Sequence, residues 1–355
     1  MRARAAIMRS YNKPLEIGEI EVPEPTGEAV VVKVAGAGIC HSDLHLLRGE
    51  IQGMPSPLPI VLGHENSGYV YAVGEKAPRE LVGRPVLVFG AWYEEEDEFT
   101  LAGEQQLAYR ATWPGILKYN GGYAEYMYVP SYKFLVSAEG LDDLEAAAVL
   151  TDAGLTPYRA VRRLVGLVSP DDYVVVVGLG GLGLFGLQFV KLLLRARAIA
   201  IDVSDEKLEM ARKFAKLEAQ DHLINASKAD PVEEVKRIAG ARGARAVVDF
   251  VGSQKTIDAY LKVLGRKGTY VIVGLHSPLG PHIPIHAMVI NEVSIVGSLW
   301  GNIRELREVV ELARRGLIKY KELVTKVGLE EVNEAFERLE KGLVSGRQVL
   351  VPSGK

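Results

Sequence analysis

Tyr173-Val-Val-Val-Val-Gly178-Leu-Gly-Gly-Leu-Gly183 is the stretch that decides the fold of this chain. The apolar run 173–177 is typical of a parallel strand that is buried on both faces. Gly178, Gly180 and Gly183 follow it, and an apolar helix is predicted over 184–195. The first glycine suits a tight turn, the second lets a pyrophosphate approach the backbone, and the third lets helix and strand pack closely. The pattern therefore predicts a dinucleotide-binding unit.

Asp202 lies at the end of the next predicted strand, 19 residues beyond Gly183. At that place a carboxylate accepts both hydroxyls of an adenosine ribose and repels a 2′-phosphate, so we expect NAD rather than NADP. The alternative is a purely structural turn with Asp202 as a surface acid. The loop residues expected to bind the cofactor are Gly178, Gly180, Gly181, Leu182 and Gly183.

Around this unit, predicted strands and helices alternate over about 130 residues, which indicates a parallel doubly wound sheet. Before about residue 140 the chain is instead rich in short β-like runs without a long periodic helix, which favours a compact barrel-like β unit. Helical patterns then return near the end, and a strand is predicted at 347–351. The segment 92–113 carries the acidic run Glu94–Glu98, and we expect it to be an exposed excursion.

Composition excludes several classes of protein. The 355 residues are 48% hydrophobic and 25% charged, with a net charge of −3, so nucleic acid and anionic membranes are not expected partners. No apolar run is long enough to span a bilayer, and the first residues lack a signal-peptide core, so we expect a cytoplasmic protein. Sparse Asn and Gln, with acids and bases close together, hint at a thermophilic source.

A second stretch, Gly38-Ile-Cys-His-Ser-Asp-Leu-His45, contains the single cysteine of the chain. A thiolate is a strong zinc ligand, although a lone Cys40 is equally compatible with a buried core thiol. Two other places offer ligands, His64-Glu65 and Asp152. Asp152 has a competing explanation, because Asp is a favoured N-cap and a helix is predicted from Leu155.

Taken together, these motifs resemble the zinc-dependent medium-chain alcohol dehydrogenases along nearly the whole chain. The matching motifs are Gly38–His45, Gly63-His-Glu65, Gly122-Tyr-Ala-Glu-Tyr126, the glycine loop with Asp202, and Gly346-Arg-Gln-Val-Leu350. The resemblance implies a chaperonin-like (GroES-like) β-barrel catalytic domain with an inserted Rossmann domain. The expected boundaries are 1–153 for the catalytic domain, 154–299 for the NAD-binding domain and 300–355 for the return to the catalytic domain.

The resemblance also implies roles for individual residues. Cys40 and His64 would bind a catalytic zinc, and Asp152 occupies the place where the family usually has a second cysteine. Glu65 would approach the metal when water or substrate leaves, while Ser42 would pass the proton through the nicotinamide ribose to His45. The implied cofactor contacts are Thr156 near the nicotinamide, Lys207 near the adenosine ribose, and His41 and Arg347 near the pyrophosphate. The segment 92–113 lacks the four cysteines of the family's structural zinc site, so we expect one zinc per chain.

The implied activity is NAD-dependent oxidation of primary and secondary alcohols, and the reverse reduction, by zinc-assisted hydride transfer. The alternatives are a polyol or sugar dehydrogenase of the same superfamily, a zinc-free quinone or enoyl reductase, and a non-enzymatic NAD-binding protein. The family commonly forms homodimers or homotetramers, and the apolar stretch 294–298 is compatible with a sheet that continues across a subunit interface.

Overall fold

The structure is a computed structural model that describes residues 1–51, 57–275 and 284–353. The chain divides into two compact units. The first comprises Met1–Leu155, Gly301–Gly316 and Tyr320–Lys355, and the second comprises Thr156–Trp300 and Leu317–Lys319.

The described residues form strands and short helices. In chain order, the strands are β1 (Arg2–Met8), β2 (Glu16–Glu21), β3 (Val30–Ile39), β4 (Ile60–Val61), β5 (Glu65–Val73), β6 (Pro85–Val88), β7 (Trp92–Tyr93), β8 (Ala111–Pro114), β9 (Lys118–Tyr119), β10 (Tyr126–Val129), β11 (Leu135–Ser137), β12 (Tyr173–Val177), β13 (Arg197–Asp202), β14 (His222–Asn225), β15 (Ala244–Asp249), β16 (Leu264–Ile272), β17 (Ser294–Gly297), β18 (Val324–Gly328) and β19 (Arg347–Val351). The helices are α1 (His41–Leu47), α2 (Glu98–Leu101), α3 (Leu144–Ala147), α4 (Leu155–Arg162), α5 (Gly181–Phe189), α6 (Asp205–Phe214), α7 (Pro231–Ala239), α8 (Gln254–Tyr260), α9 (Ile285–Asn291), α10 (Ile303–Arg314) and α11 (Val332–Glu340).

The first unit is built mainly from β-strands. Its largest sheet has the order β11-β6-β5-β3-β19-β18, and β10 also pairs with β3. Strand β3 is the centre of this sheet and is buried along most of its length, as its apolar sequence predicts. The final strand β19 runs antiparallel to β3, with Val349 opposite Gly38. The C-terminal segment thus completes the sheet that the first forty residues begin.

The second unit contains one parallel sheet of order β14-β13-β12-β15-β16-β17. The order reverses beside β12, and in open parallel sheets ligands bind beyond the carboxyl ends of the strands at such a point. The predicted strand at 173–177 has the same bounds in the structure, and its side chains at 174–176 are fully buried. The doubly wound sheet expected from the alternating pattern is confirmed.

Helix α5 differs from its predicted bounds. It begins at Gly181, three residues earlier than expected, because the end of the glycine loop forms its first turn. After Phe189 the α-helix gives way to one π-helical turn over Val190–Leu194, and the left-handed Arg195 ends it. The sequence pattern also predicts a helix over 256–264, but helix α8 begins at Gln254, since Ser253 caps it and exchanges hydrogen bonds with Thr256.

The segment 92–113 is less exposed than predicted. Trp92 is fully buried and its ring packs near Phe134, so this end of the segment belongs to the core. Asp97 organises the remainder, because its Oδ1 accepts the backbone N–H of Phe99 and of Thr100, while its Oδ2 accepts that of Tyr109. These backbone donors, that of Thr100 foremost, hold the pKa of Asp97 below its usual range.

Asp97→Ala is therefore expected to loosen this segment, since three backbone N–H groups lose their common acceptor. Limited proteolysis should cut the variant within 92–113 faster than the wild type, with a lower melting temperature. Glu96→Ala changes an exposed acid of the same run and is the matched control. Equal proteolysis of both variants would show that Asp97 does not organise the segment.

Candidate active site

Four side chains that suit a metal ion converge in the first unit. Cys40, His64, Glu65 and Asp152 are all buried, and each offers a ligand atom within 4.8 Å of the other three. Strands β3 and β5 are antiparallel neighbours with Gly38 opposite Glu65, which brings the first two pieces of sequence together. Asp152 follows a 3-10 turn that ends at Thr151. The pairing of distant strands therefore assembles the cluster.

The spacing of these atoms fits a zinc ion. Oδ2 of Asp152 lies 3.7 Å from Sγ of Cys40 and 3.5 Å from Nε2 of His64. In a tetrahedral site with bonds of about 2.0–2.3 Å, neighbouring ligand atoms are about 3.3–3.8 Å apart. One thiolate, one imidazole nitrogen and one carboxylate oxygen are also a donor set that zinc accepts.

Asp43 contacts two of the proposed ligands, Cys40 and His64. This role was not predicted from the sequence. It is fully buried, and its Oδ1 lies 3.2 Å from Nδ1 of His64. Its Oδ2 accepts the backbone N–H of Cys40 at 3.0 Å and the hydroxyl of Tyr123 at 2.8 Å. A carboxylate on the outer nitrogen orients a metal-binding imidazole and raises its basicity.

The electrostatics of His64 follow from this arrangement. Burial alone lowers the pKa of His64, but the negative carboxylates of Asp43 and Asp152 outweigh it and hold the pKa well above the ordinary value. The ring thus lies in a strongly negative environment, which is also the environment that attracts a divalent cation.

Glu65 is paired with Arg347, the first residue of β19. The guanidinium bonds both carboxylate oxygens of Glu65, and its Nη2 lies 3.5 Å from Oδ2 of Asp152. Burial raises the pKa of Glu65, whereas the positive charge of Arg347 lowers it. The resulting pKa of Glu65 is about 7. The structure therefore places Arg347 against this acidic cluster, and its predicted contact with a pyrophosphate stays a prediction.

Helix α1 carries the predicted relay residues. Oγ of Ser42 lies 3.5 Å from Sγ of Cys40. His45 follows three residues later, so both side chains lie on one face of the helix. His41 begins the same helix and is exposed. Ser42 thus lies beside the buried cluster, and the ring of His45 on the same face of the helix is half-buried.

The second unit provides the dinucleotide loop. A Cβ added at Gly183 would lie 1.8 Å from the carbonyl oxygen of Gly178, so α5 and β12 approach too closely for any side chain. At Gly180 an added Cβ meets no atom of the described residues within 4 Å, so the loop leaves open space where a pyrophosphate would approach. The glycine loop therefore fits a dinucleotide.

Asp202 ties this loop to the next strand. Its Oδ2 accepts the backbone N–H of Leu179 at 2.7 Å, and its Oδ1 accepts that of Ser204 at 3.0 Å. Each carboxylate oxygen retains a further lone pair for a ribose hydroxyl. Lys207 lies in the first turn of α6, shortly after Asp202, and Thr156 is buried near the start of α4.

Two family models match the chain. The alcohol dehydrogenase GroES-like domain matches residues 26–139, and the zinc-binding dehydrogenase model matches residues 181–315. A NAD-dependent alcohol dehydrogenase from Sulfurisphaera tokodaii is 40% identical over 98% of this chain and 100% of its own length. This chain belongs to the zinc-dependent medium-chain alcohol dehydrogenase family.

This alcohol dehydrogenase family member is also similar to a solved alcohol dehydrogenase structure and to a sugar dehydrogenase. The crystal structure of the alcohol dehydrogenase from the hyperthermophilic archaeon Aeropyrum pernix is 38% identical, with a TM-score of 0.89 over 98% of this chain and 100% of that one. A D-arabinose 1-dehydrogenase (NADP(+)) from Saccharolobus solfataricus is 32% identical over 99% of this chain and 98% of its own length. The archaeal relatives are in keeping with the predicted thermophilic source.

These findings confirm the expected family, the GroES-like catalytic domain with a Rossmann domain, and an oxidoreductase that uses zinc and NAD. The roles of individual site residues and the domain boundaries stay predictions. No helix among the described residues has the length and apolar character to cross a membrane.

Proposed function

We propose that this dehydrogenase oxidises primary and secondary alcohols to aldehydes and ketones with NAD, and catalyses the reverse reduction. The single observation that carries the proposal is the buried cluster of Cys40, His64 and Asp152, whose spacing fits one zinc ion. Bound zinc supplies the Lewis acidity that makes an alcohol easier to deprotonate, and NAD supplies the hydride acceptor.

The chain's own residues hold the reactants and move the proton. Ser42 accepts the proton of the alcohol at Oγ, because its hydroxyl lies beside the ligand Cys40. His45, on the same face of α1, delivers it to water, since its ring is partly exposed. Glu65, held by Arg347, is a further buried carboxylate of the cluster that would serve as an additional ligand for the zinc.

The cofactor is assigned to the glycine loop of the second unit. Gly178, Gly180, Gly181, Leu182 and Gly183 form the loop and the first turn of α5, whose backbone N–H groups suit a pyrophosphate. Asp202 binds the adenosine ribose and excludes NADP, and Lys207 lies near the same ribose. Thr156 contacts the nicotinamide, and His41 and Arg347 contact the pyrophosphate.

The proposed division of labour assigns catalysis to residues 1–153 with 300–355 and NAD binding to residues 154–299. We place the enzyme in the cytoplasm with one zinc per chain. We also propose a homodimer or homotetramer, because β17 is the last strand at one side of its sheet among the described residues. The neighbouring helix α9 exposes Ile285, Val289 and Ile290, and an edge strand beside exposed apolar side chains suits pairing with a second copy.

A substrate panel assayed with both cofactors tests the activity. We expect turnover of primary and secondary alcohols with NAD, and slower turnover of polyols and aldose sugars. The similarity to a D-arabinose dehydrogenase makes sugar oxidation the second candidate function, and faster turnover of sugars than of alcohols would favour it. Tighter binding of NADP than of NAD would contradict the role of Asp202.

A further inference from the structure

Glu50 is fixed against His45 by both its backbone and its side chain. Helix α1 ends in a motif where Gly49, with φ of 69°, adopts the left-handed conformation that glycine tolerates best. The backbone N–H of Gly49 donates to the carbonyl of Leu46, and that of Glu50 donates to the carbonyl of His45 at 2.9 Å. The way the helix ends therefore sets Glu50 directly beside His45.

The side chains of these two residues also meet. Oε2 of Glu50 lies 2.6 Å from Nδ1 of His45, within hydrogen-bonding distance. A carboxylate only accepts, so Nδ1 carries the hydrogen and Nε2 of the neutral ring keeps its lone pair. The contact thereby selects one tautomer and one orientation of the imidazole.

The same arrangement occurs at His64 in the buried cluster. There the carboxylate of Asp43 lies beside Nδ1, and Nε2 faces Asp152. At His45 the corresponding carboxylate is that of Glu50. Its other oxygen lies 3.7 Å from the guanidinium of Arg48. Arg48 is also paired with Glu340 on α11. Glu50 thus has the positive guanidinium of Arg48 on its other side, which helps to hold it in place.

We propose that Glu50 is a positioning residue for the proton exit: it holds His45 with Nε2 free to take the proton and stabilises the ring after the proton arrives. This inference rests on the relay role proposed for His45. The proton moves from the alcohol through Ser42 to Nε2 of His45 and then to solvent, while Glu50 stays a carboxylate throughout. No electron or leaving group is involved in this transfer.

The test uses the zinc-loaded holoenzyme and measures the single-turnover rate of NADH formation, the KM for alcohol and the Kd for NAD. Glu50→Ala should slow NADH formation about three- to tenfold, which corresponds to the net contribution of one hydrogen bond at a partly exposed site. The KM for alcohol, the Kd for NAD and the zinc content should stay as in the wild type. Glu340→Gln removes a carboxylate from Arg48 alone and is the matched control, which should leave the rate unchanged.

The double variant separates this inference from the relay itself. If Glu50 acts through His45, adding Glu50→Ala to His45→Ala should cause no further loss of rate. A slow His45→Ala variant beside a fully active Glu50→Ala variant would overturn the role of Glu50 while leaving the relay intact. Fully additive losses would overturn it as well. A fully active His45→Ala variant would overturn the relay and, with it, the role of Glu50.

Discussion

Cys40→Ser is expected to lower turnover by about a thousandfold or more, because losing a Lewis acid removes several kcal/mol of transition-state stabilisation. The substitution replaces an anionic thiolate with a neutral hydroxyl in a cluster whose other members are the imidazole of His64 and the carboxylates of Glu65 and Asp152. Zinc content measured by elemental analysis should fall well below that of the wild type in parallel with the activity.

The fold should survive this substitution, which makes the result interpretable. Cys40 is the N-cap of α1, and serine is among the residues that favour this position. The hydrogen bond from residue 40 to Asp43 uses the backbone N–H, so it is retained. The circular dichroism spectrum and the Kd for NADH should match those of the wild type, and a variant with full zinc and full turnover would contradict the assignment.

Asp152→Ala separates the two explanations of that residue. If Asp152 is a ligand, its removal should lower both zinc content and turnover, since its Oδ2 lies next to both Cys40 and His64. As a helix cap only, its removal would weaken the start of α4 and leave zinc content unchanged. Asp152→Asn keeps the size of the side chain and is the matched variant for stability.

Gly183→Ala is the substitution with the next largest expected effect. Its Cβ would fall 1.8 Å from the carbonyl oxygen of Gly178, and because that atom belongs to the backbone, β12 and α5 must move apart. Forced overpacking of this kind costs about 1–3 kcal/mol and displaces the loop. We expect a lower melting temperature and a Kd for NADH, followed by fluorescence, that is at least about tenfold weaker.

Gly180→Ala is the matched control for this effect. In the part of the chain that the structure describes, an added Cβ there meets no atom within 4 Å, and the backbone angles, φ of −70° and ψ of −162°, are open to alanine. Its melting temperature should equal that of the wild type, while NADH binding should weaken because the methyl group occupies the approach of the pyrophosphate. Unchanged NADH binding in both variants would mean that the cofactor lies elsewhere.

The second unit was predictable because its signals are local. The run of valines in β12 indicates a buried strand, the glycine spacing indicates the turn, and the pattern of helices and strands indicates the parallel sheet. The predicted starts of two helices were less accurate. Helix α8 begins after its N-cap Ser253, and the end of the glycine loop forms the first turn of α5 from Gly181 on.

The metal cluster could be suspected from sequence but not built from it. Spacing along the chain contains no information that Gly38 pairs with Glu65, and this register is what brings Cys40 to His64. The set of ligands therefore came from resemblance to a family. The structure adds the distances that make the set suitable for zinc.

The contacts of three carboxylates, those of Asp43, Glu50 and Asp97, were not predicted from the sequence. Asp43 lies three residues after the N-cap Cys40, a spacing that marks a reciprocal cap, but nothing local shows that it also faces His64. Glu50 follows the helix-ending Gly49, a signal that predicts the turn and not the contact with His45. Sequence alone places Asp97 in a solvated acidic run, because its three backbone donors depend on how the segment folds back.

Zinc quantification on the wild-type enzyme, combined with chelation, tests the central claim most directly. We expect about one zinc per chain, loss of alcohol oxidation as the metal is removed, and recovery when zinc is returned. The Kd for NADH should change little during this cycle, since the glycine loop belongs to the other compact unit. Protein that contains no metal and oxidises alcohols at its full rate after chelation would contradict the account.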